Sequence, residues 1–394
     1  MRRSFTAGAA ALVLDQALYS GSNFAFVLAQ SRGSDPEEFA NFAAGLALLT
    51  LFIALGRYLF HEPAMAGVVS GGYRLFGVSL RATSLYWALS VAPMVGVATV
   101  LLGPGAFGVA VVAPLVLVQD QRRYQLVSEG GSNRAVLSDA VWLVAVLPML
   151  FADVSVDARS LWWGLAAAAG LAVTWLPHTA VPPRVQAPAR TTGRRRYVVV
   201  DFLINELSVP IGLLLLVRSQ NPESAATFRV VLIPFGVLWV AIGAHRSLGI
   251  AEHRRESPAT RRERARTISL VSVGLSVVVW TLIQTVPSTT WTSLIGPSWP
   301  TAGAIVAIAG LMHTAKAAQT GALLELKADA RFRAVCAVRV ACGLLPMLVG
   351  WVAAVRGSMK GLLAALCVGE ILTFVALMAV LAGHAPRVAR GDGR

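Results

Sequence analysis

The chain has 394 residues, 56% of them hydrophobic and 14% charged, with a net charge of +14. Soluble domains carry about a quarter charged residues; here the charges sit in short stretches between long apolar runs, which argues against one large soluble core and for multiple membrane spans of roughly 20 residues each. A basic balance in a soluble chain would point to nucleic acid, but arginines placed between apolar runs read as flanks that orient spans, so no nucleic-acid partner is expected.

The fold class predicted is an all-α integral membrane protein of about twelve transmembrane helices in two pseudo-symmetric six-helix bundles. Spans fall at roughly 7–29, 39–60, 82–102, 107–126, 137–154 and 160–178, then 197–217, 227–247, 267–286, 301–323, 334–355 and 361–382. The bundles cover 1–180 and 197–394, and a cytoplasmic linker over 181–196 holds Pro182, Pro183, Pro188 and a run of arginines. With both termini placed in the cytoplasm, 28 of the 34 lysines and arginines fall on that side, leaving Arg32, Arg159, Arg218, Arg229, Arg356 and Lys360 on the other. The chain is therefore expected in the inner (plasma) membrane as a multi-pass protein. The loop from His245 to Arg266 reads either as a solvated charged loop or as a helix on the anionic leaflet.

From Val13 to Leu46 the sequence echoes itself at an offset of 186 residues: Asp15 with Asp201, Arg32 with Arg218, Asp35-Pro36-Glu37 with Asn221-Pro222-Glu223. Two similar halves running in the same direction are a transporter pattern, with the substrate held between them. Asp15, Tyr19 and Ser22 share one helical face, as do Asp201, Asn205 and Ser208, and both faces should look toward the cleft. Asn23 and Glu206 add polarity on neighbouring faces. Ionisable groups in spans are costly and mark either function or interhelical hydrogen bonding. Both aspartates lie toward the cytoplasmic ends of their spans, where water could reach them. Arg57 closes span 2, as a cation for a phosphate or as a residue snorkelling to the interface. His313 and Lys316 lie within span 10, Lys316 the deeper cation. Glu370 and Gln284 are further polar positions, while Glu325, Arg331 and Arg339 read as membrane flanks. Cys336, Cys342 and Cys367 read as small core residues without metal or redox spacing. No phosphate-binding loop, HExxH or Cys/His cluster is present, so neither ATP hydrolysis nor other enzyme chemistry is expected.

The stretch LDQALYSGSNFAFVLAQSRGSDPEEFANFAAGLAL resembles the opening of bacterial polysaccharide flippases, the Wzx-like branch of the multidrug/oligosaccharidyl-lipid/polysaccharide exporter superfamily. VQDQRRYQLVSEGGSNRAVLSDAVWL is similar to that family's connection between spans 4 and 5, with Gln119, Asp120, Arg122, Arg123 and Asp139 at its polar positions. The resemblance implies a V of two bundles, alternating access, and a lipid-linked saccharide as cargo, of the polyprenyl-pyrophosphate kind. It also implies membrane lipids and a glycan polymerase or glycosyltransferases as neighbours. The lipid II flippase relatives carry arginines in span 1, whereas this span carries Asp15, which matches the ion-coupling position of the multidrug-exporting relatives. Proton or sodium coupling is thus implied, and no other cofactor. The leading expectation is a lipid-linked saccharide flippase; the alternatives are a cation-coupled small-molecule exporter and a membrane scaffold for glycan synthesis.

Overall fold

The computed structural model describes residues 2–61, 74–75, 78–103, 105–128, 131–175, 195–219, 221–236, 238, 257–329 and 331–382. Among the described residues, six α-helices form the first half: α1 (Arg2–Gly33), α2 (Pro36–Gly56), α3 (Leu80–Val100), α4 (Phe107–Ser128), α5 (Ser132–Val146) and α6 (Val156–Thr174). The second half holds α7 (Arg195–Arg218), α8 (Pro222–Leu232), α9 (Pro258–Thr285), the short α10 (Ser288–Ile295) and α11 (Trp299–Gly303), then α12 (Val306–Ala328), α13 (Phe332–Val355) and α14 (Met359–Ala382). A two-residue ladder pairs β1 (Arg74–Leu75) with β2 (Val78–Ser79) between α2 and α3. Six of the described helical segments are long and apolar enough to cross a membrane. Residues such as Val144, Leu165, Leu345 and Val375 are exposed on the outside of the bundle, where a bilayer rather than water is the fitting solvent.

The helix starts follow from the sequence echo. Asp35 accepts hydrogen bonds from the backbone N–H groups of Glu37 (2.9 Å) and Glu38 (2.8 Å), and Pro36 occupies the first turn of α2. At the equivalent corner Asn221 accepts from Ser224 N–H (3.1 Å) before Pro222. A short polar N-cap followed by proline satisfies orphan donors and sets the entry angle of each second helix. The duplication extends to packing. In the first half α1 packs on α5, α3 on α4, α4 on α6 and α5 on α6; in the second, α7 packs on α13, α9 on α12, α12 on α14 and α13 on α14. The first, third, fourth, fifth and sixth spans of each half thus choose the same partners.

The repeat also slips. The turn between α4 and α5 has Gly131 N–H bonded to Leu126 C=O (2.7 Å), and the turn between α12 and α13 has Arg331 N–H bonded to Leu326 C=O (2.8 Å). These positions are 200 residues apart, against 186 at the first helix. The extra length is α10 and α11, which the expected tenth span partly absorbs. Helices approach closely where side chains vanish: a Cβ on Gly321 of α12 would lie 1.8 Å from Ala265 C=O of α9.

The expected spans and the described helices coincide within about five residues, apart from the ninth, whose helix starts earlier at Pro258, and the fifth, whose α-helix ends at Val146; residues 176–178 of the sixth and 237 and 239–247 of the eighth lie outside the described residues. Most of the linker and residues 245–256 of the basic loop lie outside them as well. Arg261–Arg266 belong to the first turns of α9, started by Ser257, whose hydroxyl caps Thr260 N–H. The two halves meet along α2, which packs on both α7 and α8, and where the α10–α11 hairpin reaches α1 and α8. We call the end holding the start of α1 and the finish of α14 the terminal face, and the opposite end the far face.

Candidate substrate cavity

A cavity of about 460 Å³ lies between the halves, lined from α1, α2 and α4 on one side and α7, α8, α12, α13 and α14 on the other. That is the volume of a drug-sized ligand or of one head group, not of a whole glycan chain. Its charged lining is four basic side chains, Arg57, Arg229, Lys316 and Arg339, against two carboxylates, Glu206 and Glu370.

The first half builds a buried charge cluster beneath this lining. Arg123 of α4 pairs with Asp15 of α1 and, through Nε at 2.7 Å, with Asp139 of α5. Gln119 donates to Asp139 (3.0 Å), and Arg123 also reaches Gln16 (3.3 Å). Arg57 pairs with Asp120, its Nε 3.2 Å from the second carboxylate oxygen. The Tyr19 ring lies within reach of both guanidinium groups, 5.1 Å from Arg57 and 4.4 Å from Arg123, a cation–π arrangement that lets an aromatic cover buried charge. Desolvation of these groups is offset only because every charge has an opposite partner.

The second half repeats the theme with other residues. Asp201 of α7 pairs with Lys327 of α12 (3.1 Å) and lies 3.6 Å from Arg339 of α13. Arg339 reaches Glu370 of α14 (3.4 Å), which also faces Lys316 (3.7 Å) and accepts from Gln319 (2.8 Å). Gln119 and Gln319, 200 residues apart, each hold a carboxylate. Lys327 also sits over the Tyr58 ring of the first half (5.3 Å), and Tyr58 packs against Phe202 (5.0 Å). These contacts join the halves at the terminal face.

The structure brings most of the predicted residues to one place: Tyr19, Asn23, Arg57, Asn205, Glu206, His313 and Lys316 all line the cavity. Asn23 donates to Tyr19 C=O (2.9 Å), Asn205 donates to Glu206, and His313 stacks on Phe235 (4.6 Å). Asp15 and Asp201 stand behind the lining, 2% and 5% exposed and ion-paired, which corrects both their expected view of the cleft and their expected hydration. Ser22 turns back to bond Leu18 C=O. Arg57 does not snorkel outward, because Asp120 holds it against two tyrosine rings. Arg339 is no membrane flank; it is 3% exposed and bonded within the second cluster.

Arg229, counted among the outer flanks, is the larger miss. Asn221 and Pro222 start α8 at the far face, which puts Arg229 seven residues, or about 10 Å, inside the helix. There it lines the cavity, and among the described residues it has no ion-pair partner. The cap at Asn221 was the signal that could have found it.

No known family's sequence profile and no curated protein matches the chain. Its fold does match solved structures of transporters. One is the MATE multidrug transporter DinF-BH, solved with a bound ligand: 11% identity, TM-score 0.63, covering 96% of this chain and 95% of that one. Another is the inward-facing conformation of a multidrug resistance MATE family transporter of the MOP superfamily, with 12% identity, TM-score 0.57 and 96% coverage of each chain. A third is a MOP superfamily transporter from Pyrococcus furiosus, with 13% identity, TM-score 0.56 and coverage of 97% and 94%, described as having a binding pocket of reversed polarity that suggests a different function. At these identities the likeness is one of fold: the chain has the two six-helix halves of the MATE transporters.

Proposed function

We propose that this chain is a membrane exporter working by alternating access, and that its cavity takes an amphipathic anion, the phosphate-bearing head of a lipid-linked saccharide. The fold supports the first part, since its solved neighbours are transporters. Arg229 carries the second. A guanidinium facing a cavity in the span region without a carboxylate partner is costly to keep, and it is suited to bind phosphate through paired N–H donors. The arginine bias supports placing the terminal face in the cytoplasm. Ion coupling through Asp15 would require its Arg123 pair to open, so we place any coupling step in the transition between conformations rather than in substrate binding.

A second reading, export of cationic drugs, draws on the neighbours that are multidrug transporters and on Glu206 in the lining. Reconstituted vesicles separate the readings. A fluorescent polyprenyl diphosphate should cross faster with the protein than without, and Arg229→Gln should slow it by about tenfold or more, as loss of a charged hydrogen bond implies. Full activity of Arg229→Gln toward that probe would reject the assignment.

A further inference from the structure

Lys316 and Gln319 of α12 and Arg339 of α13 converge on one carboxylate, Glu370 of α14. The first half has a carboxylate held by the repeat-equivalent glutamine but otherwise built from other positions. There Gln119 and Arg123 hold Asp139, the ion pair is 2.7 Å long, and none of the three residues lines the cavity. In the second half the ion pairs to Glu370 are longer, 3.4 and 3.7 Å, where tight charge-assisted contacts run to about 2.7–2.9 Å. Lys316, Arg339 and Glu370 all line the cavity. The Gln119–Arg123–Asp139 group is tight and off the cavity; the group around Glu370 faces the cavity and is looser.

We infer that Glu370 is a built-in counter-ion that competes with the substrate's phosphate for the cradle of Lys316 and Arg339, while Gln319 holds the carboxylate from behind the lining. An ammonium and a guanidinium aimed at one carboxylate are donors for any oxyanion of suitable size. The carboxylate keeps these cations compensated between cycles, when unpaired charge inside the membrane would be costly, and yields them when a more highly charged oxyanion arrives. This rests on the anionic-substrate reading above and adds a second anion subsite to the one at Arg229.

Calorimetric titration of the purified full-length protein with inorganic pyrophosphate tests it, in the wild type, Glu370→Gln and Arg229→Gln. Removing the competing charge should tighten pyrophosphate binding by about tenfold or more, and adding Lys316→Gln to Glu370→Gln should abolish the gain. A folded Glu370→Gln with unchanged or weaker binding would overturn the counter-ion role. Should that variant melt before titration, Lys316→Gln alone reads the same cradle: weaker binding is expected, and unchanged binding counts against it. Binding that depends on Arg229 but ignores Glu370 refutes the counter-ion and leaves the anionic substrate standing; pyrophosphate binding by none of the variants refutes both.

Discussion

Arg123 shows what single residues contribute. It is 2% exposed at the side chain and shared by Asp15 and Asp139, with the Tyr19 ring against its guanidinium. Arg123→Met would leave two buried carboxylates without their cation, and breaking such a pair costs about 3–5 kcal/mol. Thermal unfolding in detergent should show a large drop for Arg123→Met and little change for Arg356→Met, an exposed arginine; equal midpoints would deny the cluster its structural role. Asp15 was legible in the sequence as a charge inside an apolar run. Its partner was not, because it lies 108 residues away and tertiary packing alone brings the two together. Arg229 was missed for another reason: counting charges by loop assigns a cation near a helix start to the flank, whereas the position of the N-cap at Asn221 shows how deep it sits.

At the scale of elements, the α10–α11 hairpin distinguishes the halves. Between its two helices Gly296 has φ +120, and a Cβ there would lie 2.2 Å from Ser31 C=O at the end of α1. That conformation is open to glycine and strained for other residues. Gly296→Val should push the hairpin off α1. With Ser31→Cys in a cysteine-free background, a membrane-impermeant maleimide should label slowly beside Gly296, since Ser31 is 4% exposed, and quickly beside the valine. Equal rates would show that the hairpin does not cover α1. The hairpin escaped the sequence reading because its helices are too short to span and fall mostly between the expected ninth and tenth spans; a repeat offset that shifts from 186 to 200 was the available mark of inserted residues. The helices themselves were legible, since length and apolarity leave few alternatives in a bilayer.

For the whole molecule, the duplicated plan was readable at the first helix of each half, while the way the halves join was not. Tyr58, Phe202 and Lys327 connect them at the terminal face, and α10 contacts α1 at the far face. Alternating access requires each of these contacts to part in turn. Cysteines at Tyr58 and Phe202, joined by a short cleavable cross-linker, should therefore stop transport and release it on reduction; transport through the cross-linked protein would exclude rocking at this face. The central claim concerns the sign of the cargo. The most direct measurement is paired transport in one vesicle preparation, with a fluorescent polyprenyl diphosphate and a lipophilic cationic dye offered separately and in competition. The account predicts translocation of the diphosphate, dependent on Arg229 and little affected by the dye. Translocation of the cationic dye alone, indifferent to Arg229, would contradict it.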